Sequence, residues 1–162
     1  MKELITIVDE CPMAMPRPRI ANGRAYYKNA KDIDAHKKAI KDAVMETTRA
    51  EGIDSNVIYP KGTAVEITLI FFLPIPESTS KKKKMRMIFN SIKHTKKPDI
   101  DNLVKMVMDA LTPKPRKGDE LGAWADDSQV VSLKAKKLYS ENPHILIMLR
   151  EQEEVNEQNR IG

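Results

Sequence analysis

The sequence predicts one α+β domain in which a mixed β-sheet is covered by two helices. A chain of 162 residues fits one domain and is long enough to bury a core. A hydrophobic content of 41% with 31% charged residues is ordinary for a globular protein. Apolar residues follow strand-like and helical periods in the order β-α-β-loop-α-β-β. We assign residues 1–150 to this domain and expect residues 151–162, which are polar and mostly acidic, to form a frayed tail.

The N-terminal segment combines a short strand with a proline-rich arm. Leu4 to Val8 is apolar and rich in β-branched residues, which predicts a strand. Three prolines between positions 12 and 18 exclude a helix or a central strand, so the arm should be extended with Arg17 and Arg19 projecting from it. The arm is equally consistent with a rigid surface connector and with an element that contacts phosphates.

A helix, a strand and a basic segment follow the arm. Asp32 to Ala50 contains no Pro or Gly and carries an imperfect apolar stripe, and Gly52 should end this helix. Thr63 to Leu73 is the clearest strand in the sequence. Thr79 to Lys97 contains eight basic residues and no acidic one, so we expect a mobile loop. A run of lysines is most often a solvated surface, but this one leads directly into an acidic motif.

The last third of the chain predicts one amphipathic helix and two strands. Asp101 to Leu111 carries an apolar stripe at helical spacing and is ended by Pro113. Gln129 to Tyr139 alternates apolar and polar residues, and His144 to Arg150 is a second strand. Because the connection between these two strands is short, we expect them to pair as an antiparallel hairpin.

Composition limits the classes of function. The net charge of +5 allows a nucleic-acid partner without requiring one. A single cysteine, Cys11, forms no intrachain disulfide, and it is a poor candidate nucleophile because the three histidines are scattered. The same scatter argues against a structural zinc site. No signal peptide or long apolar run is present, so we expect a cytoplasmic protein that does not interact with membranes.

The most informative motif places acidic residues at the end of the cationic segment. Asp99 and Asp101 are two positions apart, so they would diverge inside a helix but can converge where a helix begins. Lys105 follows Asp101 by one turn on the same face. Taken alone, the motif is as consistent with a helix cap as with a functional site. A calcium loop is excluded because Val104 and Ala110 occupy the positions that require Gly and Glu.

A second acidic pair, Asp126 and Asp127, lies between Trp124 and the strand that begins near Gln129. The pair could form a simple turn. Packing of the helix on the sheet could instead bring it to Asp99 and Asp101, and three aspartates plus waters would suit Mg²⁺ or Mn²⁺.

These motifs resemble those of the RusA family of Holliday-junction resolvases. The resemblance rests on Lys97 to Leu103 (KPDIDNL) with Lys105 and Asp109 to Leu111, and on Trp124 to Val130 (WADDSQV). The arm, the strand that ends at Pro74 to Pro76, and the lysine-rich segment follow in the family's order. The region between Leu111 and Trp124 is longer and richer in lysine than is usual for the family.

The resemblance implies a homodimeric, Mg²⁺-dependent endonuclease that cuts four-way DNA junctions symmetrically in recombination and repair, with Mn²⁺ expected to substitute. It implies catalytic roles for Asp99, Asp101, Lys105 and Asp127, with the three aspartates, and possible help from Asp126, as metal ligands. Lys105 would stabilise the developing oxyanion or activate water. We expect basic residues to bind the DNA backbone: Arg17, Arg19, Lys81, Lys82, Lys83, Lys84, Arg86, Lys93, Lys96 and Lys97.

Two other functions remain open at this stage. The first is a non-catalytic protein that binds branched nucleic acid through the basic segment, with the aspartates acting as caps. The second is a nuclease of the same fold that acts on flaps or forks. The first predicts binding without a divalent cation and no nicked product, and the second predicts cleavage of flaps at rates similar to junctions.

Overall fold

The chain folds into eight strands and three helices within residues 3–155, which are the residues that this computed structural model describes. In chain order they are β1 (Glu3–Val8), β2 (Arg19–Ala21), β3 (Arg24–Tyr26), α1 (Ala30–Ala50), β4 (Val57–Tyr59), β5 (Val65–Pro74), α2 (Lys81–Ile88), α3 (Ile100–Leu111), β6 (Gly122–Trp124), β7 (Val130–Ser140) and β8 (His144–Glu151).

Four of the strands form a mixed central sheet in the order β1-β8-β5-β7. β8 runs antiparallel to both of its neighbours, and β7 runs parallel to β5. β4 and β6 form a short parallel pair. The predicted α+β single domain with a mixed sheet is confirmed, although three helices are present where we expected two.

The core lies between one face of this sheet and two helices. Alternate residues of β5 from Val65 to Leu73 are buried on this face. α1 contributes Ile40 and Val44, and α3 contributes Leu103 and Val107, all fully buried. Burying each such side chain stabilises the fold by about 1.5–3 kcal/mol. The helical period of α3 therefore fixes which of its residues are left to face solvent.

The ends of the two long helices follow their sequence signals. α1 ends at Ala50, and Gly52 adopts a positive φ of 78° just beyond it, which glycine permits without strain. Beyond α3, Gly122 packs so closely that a Cβ there would lie 2.6 Å from the carbonyl oxygen of Leu111. Trp124 is fully buried and donates its indole N–H to Thr112 Oγ1 at 2.9 Å. These contacts attach β6 to the C-terminal end of α3.

A β-hairpin that we did not predict follows the proline-rich arm. β2 and β3 pair antiparallel across Asn22 and Gly23, which have φ angles of 51° and 72°. Asn-Gly is a strong signal for a two-residue turn of this kind. The signal escaped notice because the flanking strands have three residues each and are fully exposed, so they show no apolar alternation.

The prediction of a loop over Thr79 to Lys97 was wrong for its first half, where α2 forms. Ser80 caps this helix by accepting a hydrogen bond from the backbone N–H of Lys83 at 3.3 Å. Lysine has a good helix propensity, and Met87 anchors the helix by being buried. Four of the eight residues of α2 are lysines and only Met87 is buried, so the few apolar residues at its C-terminal end did not indicate a helix.

The predicted hairpin between the last two strands was also wrong. β7 and β8 do not pair, because β5 lies between them and pairs with both. The residues of β5 are alternately buried and half-buried along the strand. A neighbouring strand on each side of β5 therefore covers more of its apolar surface than one neighbour would. β7 is consequently an edge strand, and its apolar residues Val131 and Leu133 are 61% and 44% exposed.

The predicted tail is described only in part. The backbone N–H of Gln152 donates to the carbonyl oxygen of Ala64 at 2.8 Å, and its side chain donates to Glu66 at 2.7 Å. Residues 156–162 lie outside the described part of the chain, so the expectation of fraying is not tested there. Within residues 3–155, no helix is long and apolar enough to cross a membrane.

Candidate active site

The first two candidate carboxylates lie at the N-terminus of α3. Asp99 occupies the N-cap position with extended backbone angles (φ −73°, ψ 141°), yet its side chain makes no capping hydrogen bond. Asp101 lies in the first turn, where its Oδ1 accepts from the backbone N–H of Asn102 at 2.9 Å. Both residues are exposed. A simple helix cap therefore does not explain Asp99, whose carboxylate is turned away from the backbone.

The Asp99 carboxylate is instead paired with a cation. Lys97 Nζ lies 2.8 Å from each of its two oxygens. The hydrogen bonds from Lys97 lower the pKa of Asp99, and the charges of Lys97, Lys137 and Arg17 lower it further. The carboxylate therefore remains ionised at neutral pH. Both oxygens of this carboxylate are therefore accessible to a cation, and carboxylate oxygens are the ligands that hard divalent ions prefer.

Lys105 lies one turn after Asp101 on the exposed surface of α3. The buried residues of this helix, Leu103, Met106 and Val107, face the core. The period of 3.6 residues consequently directs Asp101 and Lys105 together toward solvent. A phosphate oxygen held near the two aspartates would lie within reach of the Lys105 ammonium.

A residue that we did not single out positions this end of α3. Lys137, on β7, donates from Nζ to the carbonyl oxygens of Lys96 at 2.8 Å and Pro98 at 2.9 Å. It thereby fixes the backbone immediately before Asp99. A lysine on a strand gives no sequence signal for this role, because its acceptors lie about 40 residues earlier in the chain.

The proline-rich arm also holds the N-terminus of α3. The backbone N–H of Met15 donates to the carbonyl oxygen of Asn102 at 2.9 Å, and that of Met13 donates to His36 Nε2 at 3.3 Å. These contacts bring Arg17 close enough to lower the pKa of Asp99. Arg19 lies further on, in the exposed strand β2. The arm is therefore packed against both long helices, and Arg17 lies beside the acidic pair.

Asp126 and Asp127 play different parts in a short 3₁₀ turn before β7. The Asp126 side chain accepts from the backbone N–H of Ser128 at 2.8 Å, and hydrogen bonds from the side chain and the backbone of Ser128 lower the pKa of Asp126. Asp126 therefore shapes the turn. Asp127 is the exposed first residue of the turn. This difference favours Asp127 as the residue with a carboxylate available for a ligand.

Gln129 fixes this turn to the body of the protein, and sequence reasoning missed its role. It is 8% exposed. Its side-chain oxygen accepts from the backbone N–H groups of Ala125 and Asp126 at 2.9 and 3.1 Å. Its side-chain nitrogen donates to the carbonyl oxygens of Tyr59, Pro60 and Thr63 at 3.3, 2.9 and 3.0 Å. A buried amide with all its hydrogen-bonding groups engaged holds Asp127 in one place.

The structure does not bring the two acidic pairs together within one chain. Asp127 lies just before β7 begins at Val130. Asp99 follows Pro98, whose carbonyl oxygen accepts a hydrogen bond from Lys137, near the other end of β7. Val130 and Lys137 are seven residues apart on that strand, or about 23 Å at the usual rise. Among residues 3–155, no group of three His, Cys, Asp or Glu side chains is placed to hold a metal ion.

Eight of the candidate DNA-binding residues lie on α2 and on the segment that links it to α3. Lys81, Lys82, Lys83 and Arg86 are exposed on α2, while Lys84 is half-buried and pairs with Glu141 at 2.6 Å. Lys93, Lys96 and Lys97 are exposed in the segment that links α2 to α3. The basic surface therefore extends from α2 to the acidic pair.

A second group of lysines lies at the far end of α3. Lys41 pairs with Asp119, and Lys37 lies 3.8 Å from Asp109. With Lys114 they line a cavity of about 390 Å³ between α1 and the segment that follows α3. Burial, together with the charge of Lys114, lowers the pKa of Lys37. The Lys41–Asp119 pair attaches the segment that follows α3 to α1, and the Lys37–Asp109 pair joins α1 to α3.

An α+β domain that presents an acidic pair and a lysine beside a basic surface has the character of a nuclease that acts on nucleic-acid phosphodiesters. Comparison with known proteins identifies the family. The profile described as "Endodeoxyribonuclease RusA" matches residues 10–150. The chain belongs to this family, whose members are hydrolases that cut DNA. It is also 35% identical to the "Uncharacterized protein YqaN" of Bacillus subtilis (strain 168), over 144 residues that cover 86% of this chain and 90% of the relative.

Proposed function

We propose that this protein is a Mg²⁺-dependent endonuclease that resolves four-way DNA junctions by paired, symmetric cuts in the cytoplasm. The observation that carries the proposal is the exposed pair Asp99 and Asp101, with Lys105 one turn away, at the end of the basic surface. Family membership supports DNA cleavage as the reaction. The choice of metal, the junction as the substrate and the dimer are the parts of the proposal that go beyond family membership.

In this mechanism Asp99, Asp101 and Asp127 would hold the metal ion, and Asp126 keeps its place in the turn. A divalent cation bound there would lower the pKa of a water molecule and neutralise charge on the phosphate. Lys97 must leave the Asp99 carboxylate and is then available for a DNA phosphate. Lys105, exposed on α3, donates to the developing oxyanion. Arg17 and the lysines of α2 bind the backbone on either side.

A second copy of the chain supplies the missing carboxylate in this proposal. In one chain Asp127 and Asp99 lie near opposite ends of the stretch of β7 from Val130 to Lys137, which spans about 23 Å. Two opposed cuts on a two-fold symmetric junction also require two active sites related by a two-fold axis. A homodimer in which Asp127 of the partner subunit approaches Asp99 meets both requirements.

The exposed edge of β7 supports a particular arrangement of that dimer. If two copies of β7 pair antiparallel across a two-fold axis, the residue on the axis lies opposite itself. Centring the axis on Lys134 would place like charges opposite each other, which is unfavourable. Centring it on Leu133 pairs Leu133 with itself and Val131 with Ala135, and so buries side chains that are 44% and 61% exposed. This register directs Asp127 of the partner subunit toward Lys137 and the Asp99 backbone.

A pair of matched variants tests the arrangement. Leu133→Glu should give a monomer that no longer cleaves, because it places two carboxylates on the axis. Ile7→Glu provides the control, since Ile7 is 63% exposed on the face of the sheet opposite the core. Sedimentation velocity measures both variants. A monomer produced by Ile7→Glu, with a dimer retained in Leu133→Glu, would place the interface on the open sheet face instead.

The function is tested with a synthetic immobile four-way junction. Protein and Mg²⁺ should produce paired nicks at symmetric positions, and flaps or forks of the same sequence should be cut much more slowly. Asp99→Asn should bind the junction without cutting it. Equal cleavage of flaps would favour the structure-selective nuclease, and binding without any nick in the wild type would favour the non-catalytic binder.

A further inference from the structure

The basic helix α2 presents an apolar stripe that the proposed catalytic mechanism does not use. Met85, Ile88 and Phe89 follow the i, i+3, i+4 spacing and so share one side of the helix. They are 50%, 38% and 71% exposed. Of the Phe, Tyr and Trp side chains in residues 3–155, Phe89 is the most exposed. The side chain that anchors α2 is Met87, which is buried, so the stripe is not needed for packing.

The surroundings of this stripe favour an occupant with anionic edges and flat apolar faces. Lys81, Lys82, Lys83 and Arg86 lie on the same short helix, and the helix has no acidic residue in its first turn. Nucleic acid with unstacked bases has this chemistry, because phosphates surround bases whose faces stack on aromatic side chains. Apolar wedges inserted between base steps are a known way in which proteins bend DNA.

The segment that follows the stripe leads to the acidic pair. Asn90, which follows Phe89 with a positive φ of 58°, lines a groove of about 430 Å³ together with Lys93, Lys137 and Ile100. Ile100 is the residue between Asp99 and Asp101. DNA that follows the segment from Phe89 to Ile100 would therefore have its bases near Phe89 and its backbone near the carboxylates. A branch point, where base stacking is interrupted, offers the exposed base faces.

We propose that Met85, Ile88 and Phe89 form a wedge that packs against bases at the branch point of the substrate, with Phe89 stacking on one of them. The proposal rests on the proposed function, since it assigns the contact that distinguishes a branched substrate from a duplex. The lysines supply affinity for any DNA, and the wedge supplies the preference for branches. Phe89 is accordingly a specificity-determining residue rather than a catalytic one.

The test uses the full-length protein with the Asp99→Asn background for binding and the wild-type background for cleavage. The probe is a four-way junction with 2-aminopurine at the branch point. Binding should raise its fluorescence by unstacking the probe. Phe89→Ala should lower junction affinity about tenfold to a hundredfold, the usual effect of losing one stacked base. It should leave duplex affinity and the salt slope unchanged, and Phe89→Trp should restore junction affinity. Val155→Ala is the control, because Val155 is 73% exposed and remote in sequence from α2.

The outcomes separate the wedge from the proposed function. Junction affinity and fluorescence that are unchanged in Phe89→Ala would overturn the wedge while cleavage by the wild type still supports the junction endonuclease. A wild-type protein that binds the junction and unstacks the probe through Phe89, yet makes no cut, would support the wedge and overturn the endonuclease. A basic amphipathic helix can also bind anionic lipid. Phosphatidylglycerol vesicles that bind the wild type but not Phe89→Ala, with DNA binding unaffected, would overturn the wedge in favour of a membrane contact.

Discussion

Lys97 Nζ lies 2.8 Å from both carboxylate oxygens of Asp99, so an ammonium from the basic segment closes the predicted metal site. The two residues are two positions apart, on either side of Pro98. The pair links the two halves of the proposed function, because the same lysine can bind either the carboxylate or a DNA phosphate. Metal binding and DNA binding at this position should consequently be coupled.

Replacing Lys97 with Gln should strengthen metal binding. The variant removes the ammonium that competes for Asp99, and the concentration of Mg²⁺ that gives half-maximal cleavage should fall by up to about fivefold, the scale of an exposed ion pair. A magnesium titration of cleavage at saturating junction measures this. Lys96→Gln, which removes a neighbouring exposed charge, should leave the midpoint unchanged. A higher midpoint in Lys97→Gln would show that Lys97 assists metal binding instead.

Replacing Gln129 with Ala should destabilise the fold and detach the Asp126–Asp127 turn. The side chain makes five hydrogen bonds to backbone groups from a buried position. Leaving several of those groups unpaired should cost about 3 kcal/mol. Urea unfolding measures the stability, and cleavage below the unfolding transition reports on Asp127. Gln152→Ala, which removes a hydrogen bond to Glu66, provides the control. An unfolding midpoint equal to that of the wild type would contradict this role.

Neutralising the lysines of α2 should flatten the salt dependence of DNA binding. Each lysine that contacts a phosphate releases a counterion, so its change to Gln should reduce the slope of log K against log salt by about 0.9. The test compares the Lys81→Gln, Lys82→Gln, Lys83→Gln and Lys84→Gln combination with Lys38→Gln, since Lys38 pairs with Asp42 on α1. Circular dichroism confirms that α2 is retained. An unchanged slope would remove α2 from the DNA-binding surface.

Acid should loosen the proline-rich arm through His36. This side chain is 5% exposed, and its Nε2 accepts a hydrogen bond from the backbone N–H of Met13, which requires the neutral ring. Burial lowers its pKa below 6.5, although the charge of Glu10 opposes the shift. Because the folded-state pKa lies below the unfolded one, the stabilisation is complete above about pH 6.5 and is lost as the pH falls through the folded value.

The measurement for His36 is the urea midpoint at pH 7.5 and 5.5. The wild type should lose more stability on acidification than His36→Gln, which carries no titratable ring. Equal losses in the two proteins would assign the acid sensitivity to other groups. Cleavage should fall in parallel with the loosening of the arm, since the arm positions Arg17 beside Asp99.

The sequence was sufficient to predict the helices and strands whose apolar residues face the core. The apolar residues of α1, α3 and β5 recur at the spacing that burial on one face requires. Gly52 marks the end of α1, and Pro113 marks the end of α3. The acidic pair at the start of α3, with Lys105 one turn on, also followed from local geometry. Local signals failed at α2, which buries a single side chain, and at the β2–β3 hairpin, whose strands are fully exposed.

Strand order and the separation of the two acidic pairs were decided by tertiary structure alone. The short connection before β8 favoured a hairpin of β7 and β8. Instead β5 pairs with both strands, because a neighbour on each side covers more of its apolar surface. This leaves β7 at the edge of the sheet with Leu133 exposed. Lys137 and Gln129 hold the two acidic segments through contacts about 40 and 70 residues away in the chain. The spacing of apolar residues in the sequence shows which face of a helix or strand is buried. These contacts depend instead on which helices and strands become neighbours in the fold. The sequence thus named the candidate residues, and the fold determined that one chain holds the two acidic pairs apart.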